Sequence, residues 1–142
     1  MNSIFPLPIY YENGAGRILE NYSGFAVLKY HATPRPEQSL AQLLHATGQL
    51  LLARSWSRLL VDQQLMQPFS PEEERWILKE WFLHKVQRPA SLYIAIVPPL
   101  NARTGSRVQQ VVSQADPGSH YYFFQTVQEA DVFLKSLSQS AG

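Results

Sequence analysis

The 142-residue chain contains no cysteine. That absence removes a disulfide scaffold, a thiol nucleophile, a cysteine-ligated zinc and an iron–sulfur cluster. Charge is scarce and balanced: charged residues make up 16% of the chain, with 12 Lys+Arg against 11 Asp+Glu. A formal charge of +1 supplies no clustered cationic face of the kind phosphates require, so no nucleic-acid partner is expected. Long apolar runs are missing too. The longest weakly polar stretch, 38–53, carries Gln, Ser, His and Thr and falls short of the roughly 20 residues that span a bilayer. No integral-membrane segment is expected. The opening Met1-Asn2-Ser3-Ile4-Phe5-Pro6-Leu7-Pro8 has no cationic start and two prolines within its apolar part, unlike a signal peptide. Asn2 excludes N-myristoylation. A cytoplasmic location is the expectation.

What the chain does have is 45% hydrophobic and 12% aromatic residues, too many for disorder at this charge content. The length suits one domain over 1–142, large enough to bury roughly two-thirds of its unfolded surface without a staple. The first third reads as strands. Ile9-Tyr10-Tyr11-Glu12 and Arg17-Ile18-Leu19-Glu20 flank the turn-rich Asn13-Gly14-Ala15-Gly16, and Asn21-Tyr22-Ser23-Gly24 precedes Phe25-Ala26-Val27-Leu28-Lys29-Tyr30-His31. Asn-Gly and Ser-Gly dipeptides between such runs are hairpin signals, because they accept positive φ cheaply. The run from Phe25 is apolar on nearly both faces, which predicts a strand inside a sheet.

Leu40, Leu43, Leu44, Leu50 and Leu51, with Thr47 between them, mark one face of a helix; Gly48 weakens it by about 1 kcal/mol relative to Ala. Ser57-Arg58-Leu59-Leu60-Val61-Asp62 reads as a buried strand. Then comes the clearest local signal, Ser70-Pro71-Glu72-Glu73: a capping hydroxyl, proline at the first helical position and a carboxylate three residues on. Pro89 predicts that this helix runs over 71–87. Leu92-Tyr93-Ile94-Ala95-Ile96-Val97 is the next buried strand. Asn101 opens a helix with Val108, Val111, Val112 and Ala115 on one side. Tyr121-Tyr122-Phe123-Phe124 forms a last strand, and Thr126 caps a helix carrying Ala130, Phe133, Leu134 and Leu137 that frays from Ser138. The alternation predicts an α/β fold: a mixed, mostly parallel sheet of five or six strands that opens with an antiparallel hairpin and packs with four helices.

At Leu59-Leu60-Val61-Asp62, the loop to Ser70 and the helix behind it, the chain resembles the STAS superfamily of bacterial anti-sigma-factor antagonists. More closely it resembles the small STAS-like or SpoIIAA-like proteins grouped with the CRAL-TRIO lipid-transfer fold. The resemblance implies a binding or interaction module without catalytic chemistry. It also implies a regulatory phosphosite at the start of the helix after this strand, which by position is Ser70. Here Phe69 precedes that serine where the family has Asp, and Pro71-Glu72-Glu73 follows where the family has small residues. Glutamates beside the hydroxyl repel a phosphate; a plain N-cap is the alternative role.

No nucleophile elbow is readable, and the four histidines, His31, His45, His84 and His120, show no metal-ligand spacing. No cofactor and no enzymatic activity are therefore expected. Asp62 and Gln63 at a strand end, with Asn101 and Arg103 from the next strand–helix connection, would form the polar lip of a pocket at the carboxyl edge of the sheet; otherwise Asp62 caps loop amides. Arg103 and Arg107 could hold an anion near a helix start, or simply be solvated. The strongest feature is Trp76-Ile77-Leu78-Lys79-Glu80-Trp81-Phe82-Leu83. A helix packed on a sheet needs an apolar stripe of about 100°. Leu78, Trp81, Phe82 and Val86 supply it, leaving Trp76, Ile77 and Leu83 to be covered by neighbouring elements or by a partner. Trp76, Ile77, Trp81 and Phe82, with Met66 and Phe69 from the loop, are thus the candidate interaction surface or ligand pocket. Two functions follow: a module binding a partner protein or a second copy of itself, and a carrier of a small apolar molecule or lipid.

Overall fold

The computed structural model describes residues 6–137. The signal-peptide reading rests largely on residues 1–5 and the fraying on 138–142; these lie outside the described residues. Eleven elements follow one another: β1 (Ile9–Glu12), β2 (Gly16–Asn21), β3 (Phe25–Tyr30), α1 (Ser39–Arg54), β4 (Arg58–Asp62), α2 (Pro71–Trp76) running into a π segment (Ile77–Trp81), β5 (Leu92–Val97), α3 (Ala102–Val112), β6 (Ser119–Phe123) and α4 (Val127–Ser136).

All six strands form one sheet in chain order, β1-β2-β3-β4-β5-β6. The β1–β2 and β2–β3 pairs are antiparallel; the β3–β4, β4–β5 and β5–β6 pairs are parallel. This is the α/β architecture expected from the sequence, with β3 inside the sheet as its two apolar faces required. Parallel neighbours joined in sequence by crossovers of one hand place all the connecting helices on one face. The larger core accordingly joins Leu43, Leu50 and Leu51 of α1, Trp81 of the π segment and Val108 and Val111 of α3 to Ile18, Leu28, Leu59, Ile94 and Ile96 of the strands. The second face carries Phe25, Leu60, Ala95 and Val97, and α4 closes over them through Ala130 and Leu134.

The caps expected from the sequence are present. Ser70 and Thr126 both form complete capping boxes, with Glu73 and Glu129 as their partners, and Asn101 accepts from the Thr104 amide. Gly48 has a packing reason to interrupt α1: a Cβ there would run into the Gln87 carbonyl. Gly24, at φ 89°, makes the turn between β2 and β3, where a side chain would be strained.

One expectation needs correction. The helix starting at Pro71 does not continue to residue 87. α-Helical geometry ends at Trp76 and a π segment follows, with Phe82 N–H donating to the Ile77 carbonyl at 2.9 Å and Lys85 N–H to the Glu80 carbonyl at 2.9 Å. His84 then adopts φ 60°, and the chain leaves the helix well before Pro89. The apolar content explains this. Ile77, Trp81, Phe82 and Val86 are all 6% exposed or less, more than one straight α-helical stripe can present. The wider i→i+5 turn brings Phe82 round to the face that Ile77 and Trp81 share, so that all three reach the core. Arg88 fixes the end: its buried guanidinium donates to the Trp81 carbonyl at 3.0 Å and lies 5.0 Å from the Trp81 ring centre.

Candidate functional site

The loops leaving β3 and β4 emerge on the same side of the sheet, as parallel strands dictate. Between them, and between α1 and α2, lies an open groove of about 630 Å³. One wall is Pro34, Pro36 and Leu40; the other is Pro68 and Trp76, with Glu72 on the rim. The prolines arise from the Thr33-Pro34-Arg35-Pro36 break that ends the sheet pattern and from the apolar loop before Ser70. Both walls therefore have little conformational freedom to lose when something binds.

Arg35 holds the groove together. Its side chain is 3% exposed and its Nε donates to Glu73 Oε2 at 2.7 Å. Nη2 donates to Glu73 Oε1 at 2.8 Å and to the Pro68 carbonyl at 2.8 Å, and Nη1 donates to the Gln67 carbonyl at 3.0 Å. The two-pronged carboxylate contact is the strongest geometry an arginine can make. Its guanidinium carbon also sits 5.5 Å from the Phe69 ring centre. The Gln67 side chain returns the link, donating to the Ala32 carbonyl at 2.9 Å.

Glu73 serves both the cap and the ion pair, accepting from the Ser70 amide at 2.8 Å as well as from Arg35. Partial burial pushes its carboxyl up, but the hydrogen bonds from Arg35 and from the Ser70 backbone outweigh this and hold it below its ordinary value. Ser70 lines the groove while its Oγ accepts the Glu73 amide at 3.1 Å, so its role in the structure is the cap.

The sequence-derived candidates divide. Trp76 lines the groove, half-buried, edge-on to His45 with ring centres 5.8 Å apart. Met66, Ile77, Trp81 and Phe82 are buried in the core and form no outer surface, so of the two covers open to Ile77 it is neighbouring elements that supply it. Leu83, at 63% exposed, does remain outside. Phe69, Ile77, Trp81 and Phe82 instead line a small interior cavity of about 60 Å³ between the sheet and its helices, together with Tyr30 and Gln63. Gln63 Oε1 is buried there with no hydrogen-bond partner among the described residues. Burial pushes the Tyr30 and Tyr121 phenols above their ordinary value.

The polar lip does not converge. Asp62 caps its own loop, accepting from the Gln64 amide at 3.1 Å, and Asn101 caps α3. Arg103 is exposed; the two strand ends are joined by backbone bonds instead, the Gln63 amide donating to the Val97 carbonyl at 2.9 Å and the Leu100 amide to the Gln64 carbonyl at 3.0 Å. Arg107 is paired with Glu74 at 2.6 Å.

Two residues that organise polar clusters carried no local signal in the sequence. Arg35 is one, since only the fold brings it to Glu73. The other is Asp116, which accepts from Arg88 Nη2 at 2.8 Å, from the Ser119 hydroxyl at 2.9 Å and lies 2.8 Å from His84 Nε2. Burial raises the Asp116 carboxyl, but its hydrogen bonds and the charge of Arg88 hold it below its ordinary value. Among the described residues no group of three His, Cys, Asp or Glu side chains is placed to hold a metal ion, and no helix is long and apolar enough to cross a membrane. Comparison with protein-family models, with curated proteins and with solved structures gave no match.

Proposed function

We propose that this chain is a non-enzymatic cytoplasmic interaction module, STAS-like in its sequence pattern, that takes a short extended segment of a partner protein into the groove beside Trp76. The observation that carries this reading is the groove itself: open, about 630 Å³, and held in shape by the buried Arg35–Glu73 fork. Preformed sites with one aromatic anchor and rigid walls bind with the smallest ordering cost. Charge selects the partner. Arg35 neutralises Glu73, whereas Glu72 leaves its side chain 78% exposed on the rim and Glu37 is also exposed beside it. A segment pairing a Lys or Arg with an apolar residue fits a face made of Trp76, prolines and the exposed carboxylates of Glu37 and Glu72, the latter only loosely paired with Arg75 at 3.8 Å.

The test is selection of displayed random peptides on the purified protein, followed by titration of the selected peptides. Enriched sequences should combine a basic and an apolar residue. Trp76→Ala should weaken them at least tenfold and Glu72→Lys several-fold, with folding retained. Absence of enrichment, or binding indifferent to both substitutions, would contradict the proposal.

The carrier reading has a smaller foothold, the unpartnered Gln63 Oε1 beside the interior cavity. About 60 Å³ has room for roughly two water molecules. An acyl chain would require the helices to part from the sheet. Native mass spectrometry of protein purified from cells tests it: a co-purifying lipid supports the carrier, and a clean apo mass removes it.

A further inference from the structure

The sheet has two edges, β1 and β6, and they are built differently. β1 is four residues long, follows Pro6 and Pro8, ends in Glu12, and slips register against β2 between Ile9 and Tyr11. Short length, proline, charge and a bulge are the devices that stop an edge from pairing with another chain. β6 has none of them. Ser119-His120-Tyr121-Tyr122-Phe123 contains no proline and no Asp, Glu, Lys or Arg. Its register against β5 is unbroken from Leu92–Ser119 to Ile96–Phe123.

The backbone bonds show which groups look outward. Leu92 N–H donates to the Gly118 carbonyl and Phe124 N–H to the Ile96 carbonyl, both at 2.9 Å. Even-numbered residues of this strand therefore turn their peptide groups toward β5, and odd-numbered residues turn theirs away. The Ser119 amide is taken by the Asp116 carbonyl at 3.1 Å. Among the described residues, that leaves the amides of Tyr121 and Phe123, and the carbonyls of Ser119, Tyr121 and Phe123, along the open edge. α4 packs over β4 and β5, and the Tyr122 ring rests against Phe133 with centres 4.7 Å apart. Tyr122 and Phe123 remain 38% and 36% exposed, one on each face of the sheet.

We infer that β6 is a self-pairing edge, and that a second copy of this chain docks there antiparallel about a two-fold axis through Tyr121. In that register each Tyr121 amide meets the Tyr121 carbonyl of the other copy, and each Phe123 amide meets the other Ser119 carbonyl. The Ser119 amide, already used inside its own chain, is not called upon. Tyr122 of one copy then stands opposite His120 of the other, an aromatic cross-strand pair, and no like charges face each other. A strand whose exposed donors and acceptors match those of its own antiparallel copy gives a closed two-fold contact. The result is one sheet running through two molecules. This surface is separate from the groove, so either can fail without the other.

Sedimentation equilibrium of the full chain tests the inference. The mass should double with rising concentration. Phe123→Pro removes only an outward amide and leaves the β5 ladder intact, and Tyr122→Lys replaces the aromatic pair with the facing His120 by an ammonium on each side of the axis; each should shift dimerisation to at least tenfold higher concentration, with circular dichroism unchanged. Because the chain has no native cysteine, mixing His120→Cys with Tyr122→Cys protein under mild oxidation should crosslink the two, and far more than either alone. A monomer at every concentration overturns the inference. So does a dimer indifferent to Tyr122→Lys, or a mixture that crosslinks no better than its components.

Discussion

Arg35 is the residue on which the groove depends, and its worth can be measured. Removing it leaves the half-buried Glu73 carboxylate and the Gln67 and Pro68 carbonyls without their donor. Arg35→Ala should cost about 2–4 kcal/mol in denaturant unfolding, and the double variant with Glu73→Gln should recover part of that loss. Ser70→Ala should cost about 1 kcal/mol. Glu73 also sets a pH dependence. Its carboxyl is held below its ordinary value in the folded chain, so its stabilisation is complete above the ordinary carboxylate value and is lost as pH falls from there through the lower folded value. Stability plotted against pH should therefore be flatter below about pH 5 in Glu73→Gln than in the parent chain. Asp116, depressed for similar reasons, keeps some acid slope in the variant.

At the scale of elements, what the sequence shows is what local chemistry decides. Ser70, Asn101 and Thr126 could be read as caps because a cap needs only its own next three residues. The order of strands and helices could be read because each strand has its own apolar pattern. The π segment could not. It exists because Ile77, Trp81, Phe82 and Val86 must all reach one core, and because Arg88, Asp116 and His84 secure the chain end from elsewhere in the fold. The same limit hid the groove, since Arg35 and Glu73 meet only through the sheet. It also left open whether the grease around Trp81 was core or interface; Trp81 and Phe82 are core. Gly48 gives a test in which local and tertiary effects have opposite signs. Helix propensity alone predicts that Gly48→Ala gains about 1 kcal/mol. Collision with the Gln87 carbonyl predicts a loss instead, so the melting temperature of Gly48→Ala should fall.

For the molecule as a whole, the one-handed run of crossovers governs where function can sit. It stacks α1, α2 and α3 on one face and brings the loops after β3 and β4 side by side, so the groove opens at the carboxyl end of the parallel strands. That is where open α/β sheets gather their ligands. Trp76 is the one member of the aromatic stretch that the fold leaves at this opening, while Trp81 is sealed beneath it. Nuclear magnetic resonance can separate the two indoles. On titration with a peptide selected by the protein, the Trp76 indole N–H signal should move in a saturable way while that of Trp81 stays in place. A selected peptide that binds and leaves the Trp76 signal unmoved would contradict the account.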